Sequence, residues 1–115
     1  MPKQCQLTIK NLSICTKLIH NFTSLRVLDL HKLGIKILPR SLGELVCLRY
    51  LNLSRNPIVK LPSSITRLLN LLSLYVSWCD KLLMLPKDTY KLSNLRHLYI
   101  KGCDALRHMP ADWEA

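Results

Sequence analysis

An α/β solenoid is the fold class this sequence predicts, with short parallel strands on a concave face and an irregular or short-helical convex face. Three observations carry that expectation. Leucine fills 26 of the 115 positions. Leu25, Leu48, Leu71 and Leu95 recur at intervals of 23, 23 and 24 residues, and a common apolar pattern follows each of them. Each copy then closes on an apolar residue and a proline, as Leu38-Pro39, Leu61-Pro62, Leu85-Pro86 and Met109-Pro110. Self-similarity at a fixed period marks stacked units, none of which can bury its apolar side alone.

Within each unit the elements follow in order. Three residues after the first leucine stand Leu28, Leu51, Leu74 and Leu98, and five after it stand Leu30, Leu53, Val76 and Ile100. This alternation turns both apolar side chains of a short strand inward and the residue between them outward. Side by side, such strands form a parallel sheet at about 4.8 Å spacing over one continuous aliphatic ladder. Eight residues on come Leu33, Asn56, Cys79 and Cys103, where the chain leaves the strand. Asparagine can hydrogen-bond the turn backbone there, and a small buried thiol can do so weakly. Leu33 breaks the pattern, so the first bend is expected to be irregular. Ile35, Ile58, Leu82 and Leu106 then return to the core.

The proline has no N–H and a fixed φ, which suits the first turn of a short or 3₁₀ helix on the outer side better than a paired strand. Ser41, Ser63 and Ser64 follow closely, placed to cap that turn. A last apolar pair, Leu42/Leu45, Ile65/Leu68 and Tyr90/Leu92, leads into the next unit, and the fourth offers Trp113. The array therefore reads as 25–115, in units 25–47, 48–70, 71–94 and 95–115. Residues 1–24 carry one more apolar alternation at Leu7 and Ile9 and read as a degenerate N-terminal repeat or flank. Neither end shows the polar cap that stops edge-to-edge pairing, so a piece of a longer array is expected. The shared pattern, L-x-x-L-x-L-x-x-N/C-x-L, is the signature of leucine-rich repeats.

The hexad Leu25-Arg26-Val27-Leu28-Asp29-Leu30, with Leu48-Arg49-Tyr50-Leu51-Asn52-Leu53-Ser54 and Leu95-Arg96-His97-Leu98, resembles the repeats of plant intracellular nucleotide-binding, leucine-rich-repeat disease-resistance proteins. Leu61-Pro62-Ser63-Ser64-Ile65 and Cys103-Asp104-Ala105-Leu106-Arg107-His108-Met109-Pro110 are similar to the turns of that family. The resemblance covers 25–110 well and 1–24 loosely. It implies a cytoplasmic sensor or regulatory module in the defence response. Its partner would be a pathogen effector, a guarded host protein or the receptor's other domains. The family's phosphate-binding G-x-x-x-x-G-K-[ST] loop is missing from this sequence, so the chain itself would not exchange nucleotide. Two other readings compete: an intracellular scaffold of the Ras-pathway type, built on regular 23-residue repeats, and a receptor gene fragment without function. The 24-residue interval and the cysteine turns favour the plant receptor.

Composition and charge narrow the function classes. No apolar run is long enough to span a bilayer, and the N-terminal segment does not read as a secretory signal. Five cysteines, with no C-x-x-C pair, argue against a disulfide framework or a zinc knuckle. The histidines (20, 31, 97 and 108) show no helical metal-site spacing. Asp29 beside His31 invites a catalytic thought, but the candidate thiols point inward and an open curved sheet implies no cleft, so neither enzyme activity nor a cofactor is expected. The formal charge of +10 is spread along the chain, from +4 over 48–70 to 0 over 95–115. Arg26, Arg49 and Arg96 share one position, which Leu72 interrupts. Phosphate contacts are conceivable there, but no nucleic-acid module is recognisable, which puts nucleic acid behind protein recognition.

A partner is therefore expected on the outward side chains of the strands. Two residues after the first leucine these are Val27, Tyr50, Ser73 and His97, and four after it Asp29, Asn52, Tyr75 and Tyr99. Six after it stand His31, Ser54, Ser77 and Lys101; seven after it, Lys32, Arg55, Trp78 and Gly102. From these columns the candidate partner-binding residues are Asp29, His31, Tyr50, Asn52, Arg55, Tyr75, Trp78, His97, Tyr99 and Lys101. Tyrosine, tryptophan and arginine dominate interface hot spots. The competing explanation is that the strand tyrosines only pack on one another across the sheet.

Overall fold

A computed structural model describes residues 23–107. Four three-residue strands, β1 (Val27–Asp29), β2 (Tyr50–Asn52), β3 (Ser73–Tyr75) and β4 (His97–Tyr99), form one parallel sheet in sequence order. The pairing follows the leucine alignment without slippage: Leu28 lies opposite Leu51, Leu51 opposite Leu74 and Leu74 opposite Leu98. Leu51 and Leu74 are sealed from solvent, and Leu28 and Leu98, on the outer strands of the described sheet, are half-buried. A one-residue slip would turn the whole aliphatic set outward, so the buried row locks the register.

The ladder continues past the strands at both ends. Before them, the carbonyl of Arg26 accepts from the N–H groups of Arg49 and Tyr50, that of Arg49 from Leu72 and Ser73, and that of Leu72 from Arg96 and His97. After them, Lys32, Arg55 and Trp78 donate to the carbonyls of Ser54, Ser77 and Lys101 in the following repeat. Lys32, Arg55, Trp78 and Gly102 all adopt positive φ, between 54° and 76°. The left-handed bend costs a non-glycine residue about 1–2 kcal/mol. It persists because the ladder hydrogen bonds on either side leave the chain no other path. Of the four, only Gly102 signals this bend in the sequence.

On the convex side the proline turns open 3₁₀ helices at Arg40–Glu44, Ser63–Arg67 and Lys87–Lys91. Their first residues follow Pro39, Pro62 and Pro86, and no side chain caps them. The serines expected as caps act differently. The Ser64 hydroxyl donates to the Arg40 carbonyl of the preceding repeat, so it ties neighbouring turns together. Gly43 makes room for this approach, since a side chain at 43 would overlap Ser64. The buried Ser41 hydroxyl has no partner among the described residues.

The apolar pair of the third repeat also needs correction. Thr89, and not Tyr90, fills the buried place held by Leu42 and Ile65, while Tyr90 is 45% exposed. Leu42/Leu45 and Ile65/Leu68 are three residues apart, as Thr89/Leu92 are, whereas Tyr90/Leu92 are two. The extra residue of this repeat falls before Leu82 and shifts everything after it by one. The Thr89 hydroxyl donates to the Pro86 carbonyl, which makes a polar side chain acceptable inside. The expected 1–24 flank, the Met109-Pro110 turn and Trp113 lie outside the described residues, apart from Thr23 and Ser24.

Candidate functional site

The sheet brings the outward columns together as the pattern requires. Val27, Tyr50, Ser73 and His97 face one another across successive strands, as do Asp29, Asn52, Tyr75 and Tyr99. Because Tyr50 and Tyr75 sit in different columns of adjacent strands, their rings meet on a diagonal. Their centroids are 4.9 Å apart and the planes tilt by 43°. Tyr75 and Tyr99, directly opposite, stack at 4.3 Å and 11°. The His97 ring lies 6.0 Å from that of Tyr99. Desolvation, then the neighbouring Tyr75, holds the Tyr99 phenol above its ordinary pKa.

A second cluster stands where the strands end. The Trp78 ring lies over the backbone of Gly102, where any side chain would overlap it. From the preceding repeat, the Arg55 guanidinium sits 5.6 Å from the Trp78 ring centroid, in cation–π range. Beside them opens a shallow groove of about 400 Å³ lined by Arg55, Asn56, Pro57, Trp78, Asp80 and Asp104. Asp80 and Asp104 were not among the expected residues. They occupy one position in neighbouring repeats, next to Cys79 and Cys103, and the outward columns ended two residues too early to include them.

Asp29 and His31 do pair: His31 Nδ1 is 2.6 Å from Asp29 Oδ1, which also accepts from the His31 backbone N–H. Asn52 makes the same local turn by accepting from the Ser54 N–H, so much of its capacity is used within its own strand end. Lys101 is exposed. Thiol chemistry has no foothold beside the Asp29–His31 pair. Cys79 donates to the Leu53 carbonyl and Cys103 to the Val76 carbonyl, both inside the turn column. Burial pushes both thiols above their ordinary pKa, against the thiolate that a nucleophile needs. Among the described residues no three His, Cys, Asp or Glu side chains converge on a metal position, and no helix is long and apolar enough to cross a membrane.

The turn column shows how neighbouring repeats are tied together beneath the face. Asn56 Oδ1 accepts from the N–H groups of Leu33 and Ile35, and its Nδ2 donates to the carbonyls of Leu30 and Leu53. One buried amide thus closes the irregular first bend and ties two repeats together. Asn70 and Asn94 form another ladder before the strands, donating to the carbonyls of Val46 and Leu69 one repeat earlier.

The family model described as leucine-rich repeat region matches residues 5–112. The chain belongs to that family. The leucine-rich repeat chain is 40% identical over 77 residues, 67% of its length, to an Arabidopsis thaliana protein named for disease resistance, and spans 5% of that protein. Among solved structures, a leucine-rich repeat protein of Leptospira interrogans superposes with a TM-score of 0.72 at 33% identity, over 78% of this chain and 23% of that one. The leucine-rich repeat domain of the type III effector XopL superposes with a TM-score of 0.59 at 21% identity, over 80% of this chain and 50% of that one, and shares the fold. As a leucine-rich repeat module the chain is a binding and recognition scaffold.

Proposed function

We propose that this leucine-rich repeat chain is the recognition portion of a plant intracellular immune receptor, binding a pathogen effector or a host protein through its concave face. The likeness to the Arabidopsis protein named for disease resistance supports the setting, and the cytoplasm is the compartment that fits it. One observation carries the assignment to the face: the unbroken row Tyr50–Tyr75–Tyr99, with Trp78 beside it, on the open side of the sheet. Trp78 is 44% and Tyr99 41% exposed although both are large apolar rings, and such residues anchor interfaces at small entropic cost. Asp29, His31, Asn52, Arg55, His97 and Lys101 form the polar surround.

The test compares the chain with its Tyr75→Ala, Trp78→Ala double variant. Both are used to capture partners from extracts of infected and uninfected plant tissue, and their folding is followed by circular dichroism. A partner retained by the native chain and lost by the folded double variant supports the reading. Unfolding of the double variant makes the aromatic row a packing device, and equal retention moves the binding site off this face.

A further inference from the structure

Resting on the binding face proposed above, we infer that its partner presents an acidic polypeptide segment, laid across the strands with its carboxylates on the row Arg26, Arg49 and Arg96. These three arginines hold the same position directly before β1, β2 and β4, and all three are exposed. Their side chains have no carboxylate partner among the described residues, where the ion pairs are His31–Asp29 and Lys91–Asp88. The ladder fixes the backbone beneath them, because the Arg26 and Arg49 carbonyls each accept two N–H groups of the next repeat. The row is therefore a set of cations spaced one and two strand spacings apart.

Cations also stand at the far ends of the strands, as Lys32, Arg55 and Lys101. Asp29 is engaged by His31, and the carboxylates of Asp80 and Asp104 line the groove beside Arg55, beyond the strand ends opposite the arginine row. The Tyr99 phenol, held above its ordinary pKa, stays a hydroxyl donor. Guanidinium, ammonium and phenol groups all donate, so the complement is an acceptor-rich anion.

A nucleic acid strand is also an acceptor-rich anion, but it gains its affinity for such faces by stacking bases on open rings. Here Tyr75 stacks on Tyr99 and meets Tyr50 at a tilt, so the tyrosine row has neighbours on its ring faces, and the open rings, Tyr99 and Trp78, lie in different columns. Leu72, 37% exposed, replaces the arginine of the third repeat and asks for an apolar side chain in the middle of the ligand. Three strand spacings, about 14 Å, separate the ends of the arginine row. An extended segment of five residues rises about 3.4 Å per residue and covers that distance; of its three side chains on one face, about 7 Å apart, the outer two meet Arg26 and Arg96 and the middle one falls between Arg49 and Leu72. The partner segment is thus short, extended and acidic at alternate positions, with an apolar residue among the carboxylates.

Fluorescence anisotropy on the full chain tests this with three labelled probes. The first is a ten-residue peptide alternating Glu and Ser around a single Leu, the second is its Gln-for-Glu counterpart, and the third is a ten-nucleotide oligothymidine. The Glu peptide is expected to bind saturably and to loosen as salt rises. Both the Gln peptide and the Arg26→Glu, Arg49→Glu, Arg96→Glu variant should bind about tenfold or more weakly, three exposed charge pairs being lost in each case. If that variant misfolds by circular dichroism, the milder Arg→Gln triple variant replaces it. A convex-side control of equal charge, Lys36→Glu, Lys60→Glu, Lys87→Glu, should bind the Glu peptide nearly as the native chain does.

The acidic-segment inference is overturned by an equal affinity for Glu and Gln peptides, by no saturable binding, by an equal loss in the convex control, or by tighter binding of oligothymidine. The Tyr75→Ala, Trp78→Ala variant separates this outcome from failure of the face itself. Both peptides binding alike and both lost in that variant keeps the face and sinks the charge. Loss in the arginine variant with no change in the aromatic one keeps the charge and sinks the aromatic face.

Discussion

The two inner repeats, beginning at Leu48 and Leu71, stack in one register yet solve their turns differently. In the first, Asn56 accepts two backbone N–H groups and donates to carbonyls in two repeats. In the second, Cys79 makes a single thiol bond to the Leu53 carbonyl. The first keeps Ile65 inside, the second Thr89. The second is also one residue longer, and the convex bridge between Lys60 and Met84 pairs residues already shifted by that one position. The difference teaches that the strand register depends on the buried aliphatic row and not on what joins one strand to the next. Turns and outer side chains are free to vary as long as buried polar groups find partners.

If the row sets the register, Leu51→Ala and Leu74→Ala should be the most damaging changes and similar to each other, each costing about 2–5 kcal/mol through lost burial and a residual cavity. Urea unfolding measures both, and a large gap between them would break the equivalence of the two repeats. Asn56→Ala comes next, at about 3 kcal/mol, because it strands buried N–H and C=O groups in two repeats at once. Cys79→Ala should cost about 1 kcal/mol, since one weak donor is lost and a small cavity opens. An equal cost for the two turn variants would mean that the thiol turn is held as tightly as the amide turn.

The thiols also predict a pH dependence. Burial raises the folded pKa of Cys79 and Cys103 above the ordinary value of 9.0. Their contribution to stability is therefore complete below pH 9. Above it the unfolded chain releases these protons first, and stability falls as pH rises toward the folded pKa. Thermal unfolding should show this decline, and the Cys79→Ala, Cys103→Ala variant should lose it. The smallest expected effect is Thr89→Val, within about 1 kcal/mol, because a local hydroxyl bond is exchanged for apolar contact of similar volume. A larger loss in urea unfolding would make the Thr89 hydroxyl, and not its size, the reason for its burial.

Much of the fold was legible in the spacing of leucines, because a period shared by four copies leaves one way to bury them all. The buried row, the parallel order and the 3₁₀ turns after Pro39, Pro62 and Pro86 all follow from it. Thr89 was misread because a conspicuous aromatic at 90 outweighed the three-residue spacing. The serines near the prolines were read locally, as caps, although Ser64 serves a neighbouring repeat 24 residues away. At the site, the columns containing the tyrosines and Trp78 could be named in advance. The stack of Trp78 on Gly102 under Arg55, and the groove beside Asp80 and Asp104, could not be.

By itself the sequence determined which residues share a column, since period and alternation are properties of the chain alone. Only the tertiary structure decided how neighbours in a column meet: which rings stack face to face, which turn atoms reach the repeat before, and where the chain accepts a left-handed residue. Those outcomes depend on distances across strands, and such distances exist only once the repeats are side by side.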